Sequence, residues 1–127
     1  MRLTTTITAL VTTVLLLVNL CLANIIVVTA HNGGKLVDAA KGDTIMVKLK
    51  ASTEDGLSWV YSLPSSTNDA ALKLTNSTDD SNGDVTASFE AVGAGSASIT
   101  SNKSCKPTSG HVCPKIIIKW TVDVKVV

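Results

Sequence analysis

Aromatic side chains are scarce in this sequence: two Trp, one Tyr and one Phe make up 3% of 127 residues. A core has to be built from Val and Ile instead, and these β-branched side chains suit strands rather than helices. A charge excess is also missing, since 11 Lys and Arg face 10 Asp and Glu for a net charge of +1. The basic residues form no cluster, which excludes a phosphate-binding face for nucleic acid. Histidine is limited to His31 and His111. Neither lies in a catalytic motif, and GxSxG, HExxH, a glycine-rich phosphate loop and a paired-Cys zinc pattern are all missing. The adjacent carboxylates of Glu54 and Asp55 are turn neighbours, which ordinarily point apart into solvent. Catalysis requires a nucleophile, a base and a device for developing charge. No such constellation is present, so neither catalytic residues nor a metal or other cofactor are expected. Repeats and low-complexity tails are lacking as well.

The long apolar run is confined to the beginning of the chain. Arg2 precedes Val14-Leu15-Leu16-Leu17-Val18 and then Cys21-Leu22-Ala23. A basic start, an apolar stretch and small residues at −3 and −1 describe a secretory signal peptide over residues 1–23, cut before Asn24. The apolar stretch is short for a membrane anchor, and Asn19-Leu20 ahead of Cys21 is poor for a lipoprotein signal. After cleavage the chain 24–127 is one ordinary domain, with ten basic and ten acidic residues. It is expected to be secreted or endo-lysosomal, with no membrane attachment and as a monomer. Cys105 and Cys113 remain as an even pair in an oxidising compartment and are expected to form a disulfide. The alternative, a cation held by both cysteines and His111, is an incomplete zinc set. Asn76-Ser77-Thr78 and Asn102-Lys103-Ser104 are candidate glycosylation sites at Asn76 and Asn102.

The mature sequence alternates with period two. Ile45, Val47 and Leu49 share one face of 44–50. Leu57, Trp59, Tyr61 and Leu63 share one face of 57–63, and Val85, Ala87, Phe89 and Ala91 one face of 84–92. Ile116, Ile118, Trp120, Val122, Val124 and Val126 do so in the last segment. Such alternation marks strands packed on one side. Turn signals at Asn32-Gly33-Gly34, Gly42-Asp43, Asp55-Gly56, Asn82-Gly83, Gly93-Ala94-Gly95 and Ser109-Gly110 separate them, and no segment has a capped helical period. The predicted fold is all-β: an immunoglobulin-like antiparallel sandwich of seven to eight strands, closed over Trp59, Phe89, Ile99 and Trp120.

Sandwiches carry function on their end loops. Three connections stand out, at 52–57, 79–84 and 104–114, occupying the BC, DE and FG places of the immunoglobulin order, which emerge at one end. Loops of this kind also serve as plain solvated connectors.

Several of these residues resemble a known family, the chagasin-like inhibitors of cysteine peptidases. Ala30-His31-Asn32-Gly33 with Gly42-Asp43 resembles the family's opening. Ser52-Thr53-Glu54-Asp55-Gly56-Leu57-Ser58-Trp59 resembles its first loop, matching at the glycine and tryptophan. Phe89-Glu90-Ala91-Val92-Gly93-Ala94-Gly95 resembles the strand and turn before the penultimate strand. Lys106-Pro107-Thr108-Ser109-Gly110 resembles its Arg-Pro-Trp-x-Gly loop. The resemblance implies a papain-like cysteine peptidase as partner, bound through Thr53, Glu54, Asp55, Gly56 and Leu57, Ser81, Asn82 and Gly83, and Lys106, Pro107, Thr108, Ser109 and Gly110. The chain departs from the pattern where Glu54 and Asp55 replace two threonines and Thr108 replaces a tryptophan. The middle Gly-x-Gly-Gly loop is replaced by Asp79-Asp80-Ser81-Asn82-Gly83. Two other readings are an adhesive immunoglobulin-like module and an inhibitor scaffold turned to another secreted partner.

Overall fold

A computed structural model of the chain describes residues 23–127, so the expected leader lies outside the described residues except for Ala23. The described residues form strands throughout: β1 (Ile25–Thr29), β2 (Leu36–Ala39), β3 (Thr44–Leu49), β4 (Ser52–Glu54), β5 (Leu57–Tyr61), β6 (Ser65–Ser66), β7 (Leu72–Asp79), β8 (Val85–Ala91), β9 (Gly95–Lys106) and β10 (Ile117–Val126). Alternation is clearest in β3, β8 and β10. One sheet has the order β1-β3-β8-β7. The other has the order β2-β10-β9-β5-β4, with β6 also pairing to β9.

The all-β sandwich class stands, but with ten strands rather than seven to eight, and the pairing is not antiparallel throughout. β1 runs parallel to β3 and β2 runs parallel to β10. Both exceptions belong to one stretch of chain. It edges the first sheet as β1, turns through Ala30–Asn32, and edges the second sheet as β2. Covering two sheet edges with one segment leaves fewer backbone groups open to foreign strands. The chain changes sheets again between β3 and β4 at Lys50-Ala51, the sort of bend that makes a sandwich corner.

Register sets the core. Ile45 lies opposite Phe89 and Val122 opposite Ile99. All four are fully buried, with Val28, Val47, Leu49, Leu72 and Val124 around them. Trp120 is buried, and its Nε1–H donates to the Ala30 carbonyl at 3.1 Å. A side chain at Gly33 would come within 2.8 Å of that nitrogen, so the turn closes over the indole only with glycine there. Trp59 is buried too, but outside this cluster, nearer the β4–β5 end.

Two expected faces end early. β5 stops at Tyr61, so Leu63 is 48% exposed and Pro64 is buried in its place. Ile116 and Ile118 keep the parity of Trp120 yet are 56% and 49% exposed. The reason is reach: β2 accompanies β10 only from Asp123 onward, and the strand's first residues run beyond the packed sheets.

Asp43 is the buried charged residue of the frame. Its Oδ2 accepts the Ala40 N–H at 2.9 Å and its Oδ1 the Asn24 N–H at 3.0 Å. These bonds hold the carboxyl below its usual range, against the opposing effect of burial. A depressed folded-state pKa contributes stability that is complete above the unfolded value of about 4 and is lost as pH falls through the folded one. Urea midpoints measured from pH 6 down to pH 2 are therefore expected to fall less steeply for Asp43→Asn than for the native chain, although the variant starts lower.

Candidate functional site: three turns at one end

The 52–57 connection is not an open loop but a β-hairpin. Ser52 pairs with Trp59, Thr53 with Ser58 and Glu54 with Leu57, which leaves only Asp55 and Gly56 as the turn. Both have positive φ, 54° and 76°, the pair of conformations that a two-residue turn of right-handed twist requires and that Asp-Gly supplies. Thr53 and Leu57, expected in the loop, are ladder residues. Glu54 does not point freely outward: its Oε1 accepts from Lys103 Nζ at 3.1 Å. That ammonium lies 5.8 Å from the centre of the Trp59 ring. Lys103 thus tethers the hairpin to β9 while covering the indole, a cation–π contact.

The 79–84 connection is a tight turn organised by one side chain. Asp80 Oδ1 accepts N–H groups from Asn82 at 2.8 Å and Asp84 at 3.1 Å. Asp84 Oδ1 in turn accepts the Ala51 N–H at 2.9 Å, which ties this turn to the corner leading into β4. Gly83 has φ 85° and packs so closely that a Cβ would meet Val60 Cγ1 at 2.8 Å and Ala51 Cβ at 3.3 Å. Ser81 and Asn82 are exposed.

The third connection is shorter than the expected 104–114, because β9 continues to Lys106, paired with Ser58. Pro107, Thr108, Ser109 and Gly110 are exposed. Thr108 and His111 form a bridge, and the His111 N–H donates to the Thr108 carbonyl at 3.2 Å. Cys105 and Cys113 are joined, with Cα atoms 5.5 Å apart, so the alternative cation set would have no thiolates. Removing the bond with Cys105→Ser and Cys113→Ser together frees a short closed loop. The expected loss is about 2–3 kcal/mol of stability by loop-closure entropy, read from urea unfolding.

The three turns meet. A groove of ≈ 310 Å³ is lined by Ser52, Thr53 and Ser58 of the hairpin, Asn82 and Asp84 of the second turn, and Lys106 and Thr108 of the third. A Cβ at Gly56 would lie 3.4 Å from His111 Cε1. The Gly56 bend and the loop after Pro107 are therefore neighbours at one end of the sandwich.

No protein-family model and no curated protein matches the sequence. Among solved structures, the cysteine protease inhibitor EhICP2 from Entamoeba histolytica is similar with a TM-score of 0.57. The match covers 82% of this chain and 96% of that one at 15% identity. The fold is chagasin-like. The solution structure of amebosin gives a TM-score of 0.45 at 18% identity, over 81% of this chain and 97% of that one.

On that fold the tip contains residues that motif reading passed over. Lys103 and Asp84 hold the hairpin and the corner in place, while Val60 and Ala51 form the floor under Gly83. Parity along β9 puts Lys103 on the same face as Ile99 and Ser101, a signal of a charged residue at an inward position. Nothing comparable marks Asp84 in the sequence. Asn76 and Asn102 are both exposed on strands, on β7 and β9.

Proposed function

We propose that this chain is a secreted, reversible inhibitor of papain-like cysteine peptidases that wedges its three-turn tip into their active-site cleft. The observation that carries the reading is the meeting of Asp55-Gly56, Gly83 and the disulfide-closed loop at one pole of a fold shared with a known cysteine protease inhibitor. The Asp55-Gly56 turn enters over the catalytic thiolate. Gly56 lacks a Cβ, so its backbone approaches closely. Asp55 is exposed at the apex and accepts a hydrogen bond from the protonated catalytic histidine, a charge-assisted contact of about 1.5–3 kcal/mol. Glu54 is occupied by Lys103, which leaves Asp55 for that role.

A tight turn presents no extended peptide in register with the nucleophile, so the inhibitor is not consumed. Lys106 reaches carboxylates on the cleft rim. The family's loop tryptophan has no equivalent at Thr108, and the apolar anchoring passes to Val112, 92% exposed, and to Ile116 and Ile117 beside the same loop. Exposed apolar side chains in and just after this loop suit a partner surface. Ladder pairing of the hairpin and the Cys105–Cys113 bond order the tip before binding, which reduces the entropy lost on association. The inhibitor works as a monomer, outside the cell or in endo-lysosomal compartments.

Titration against a papain-like peptidase tests this. The expected result is reversible, nanomolar to micromolar inhibition, with the inhibitor recovered uncut by mass spectrometry. Undiminished peptidase activity at high micromolar inhibitor defeats the reading.

A further inference from the structure

The backbone nitrogen of Asn24 donates to a buried carboxylate, Oδ1 of Asp43, at 3.0 Å. It is also the atom that the expected cleavage after Ala23 would release. Asn24 is held from its other side as well, since its carbonyl accepts the Thr44 N–H at 2.9 Å. Asp43 is itself fixed: its second oxygen takes the Ala40 N–H, and its carbonyl takes the Ala91 N–H at 2.9 Å. The nitrogen that such a cleavage would free therefore has a partner in place in the folded frame.

We propose that removal of the leader switches this contact from an amide hydrogen bond to an ion pair, so that cleavage locks the start of β1 onto Asp43. Hydrolysis breaks the Ala23–Asn24 C–N bond. Water gives its OH to the Ala23 carbonyl carbon and a proton to the Asn24 nitrogen, which takes a second proton from solvent to become an α-ammonium. An amide brings only a dipole to the carboxylate, whereas the ammonium brings a full charge and adds a direct Coulomb attraction to the hydrogen bond. Partial burial shields the pair from salt. The inference concerns maturation and holds whether or not the tip inhibits a peptidase.

The pairing has a sign that can be measured. An opposite charge in contact raises an amine's pKa. The α-ammonium therefore contributes stability that is complete below its unfolded value of about 8 and is lost as pH rises through the folded one. Other charged groups on the packed elements are Glu90, opposite Thr44, and Lys73, opposite Glu90. Lys41 lies in the adjoining turn, with its N–H on the Val127 carbonyl, and Asp38 and Lys125 pair between β2 and β10. All of these are common to the cleaved and uncleaved forms.

The experiment uses the full precursor expressed through a secretory pathway, with the product's first residue read by mass spectrometry. Asn24 is expected; any other first residue overturns the proposal. Thermal melts then compare this chain with its Nα-acetylated form, in which the acetyl group restores the amide of the precursor. The free-amine chain is expected to melt higher by about 4–8 °C near pH 6–7, with the gap closing toward pH 10. A gap that ignores pH, or no gap, overturns it. In Asp43→Asn the gap should vanish, and its persistence also counts against the pair. NMR titration of the α-amino group of the native chain gives a readout that needs no variant: a midpoint above about 8 supports the lock and one at or below it refutes it.

Discussion

Replacing Gly56 by valine is expected to weaken inhibition of a papain-like peptidase by about 30–150-fold, a hot-spot loss of about 2–3 kcal/mol. Two effects act together. Gly56 has φ 76°, a region costing about 1–2 kcal/mol for residues with a Cβ, and branching at Cβ makes it worse. The new Cβ also starts in contact with His111, 3.4 Å from its Cε1, so the two added methyl groups crowd the third turn. The hairpin therefore opens at its apex and separates from its neighbour, while the core, which Gly56 does not touch, stays intact. Inhibition constants and melting temperatures measured side by side check this. A large loss of inhibition with a modest drop in melting temperature is expected. A variant that inhibits as well as the native chain would remove the tip from the binding surface. Combining changes at Asp55, Gly56 and Lys106 extends the test, since an adhesive module binding through another face would be indifferent to all three.

Phe89→Ala is expected to be the most damaging single change to the frame. Phe89 is fully buried at the centre of the β1-β3-β8-β7 sheet, opposite Ile45. It is the only Phe in the chain. Nearby positions on its strand are Ala87 and Ala91, and Ala97 lies on the facing sheet. Such short side chains cannot swing in to fill the space. The transfer and cavity terms together amount to about 3–5 kcal/mol, a large share of the 5–15 kcal/mol, roughly, that holds a domain together. Urea unfolding should show a lower midpoint with an unchanged slope. A loss below about 1 kcal/mol would mean that the two sheets can settle onto one another, contrary to the close packing that the Ile45–Phe89 register implies.

Much of this frame could be read directly along the chain. Ile45, Val47 and Leu49, or Val85, Ala87, Phe89 and Ala91, alternate because a strand shows successive side chains to opposite faces, and that geometry is local. Asp55-Gly56 and Asn82-Gly83 announced turns for an equally local reason, the backbone conformations those residues tolerate. The reading failed where an element's environment changes along its length. Ile116 and Ile118 have the right parity and no opposing sheet. Leu63 lies beyond the last ladder pair of β5. Thr53 and Leu57 read as loop residues because nothing local reveals that pairing continues up to the turn.

What the sequence alone decided, then, is strand character along the alternating segments, the central faces they bury, the positions of the turns and the cysteines available to pair. Tertiary structure alone decided which turns become neighbours, that one edge segment runs parallel to two sheets, that Lys103 reaches Glu54 across 49 positions, and that Asp43 waits beside the nitrogen of Asn24. The division follows from the physics of the chain. Backbone preferences and side-chain alternation act over a few residues, whereas a contact between distant side chains exists only after sheet order, register and twist have been fixed together.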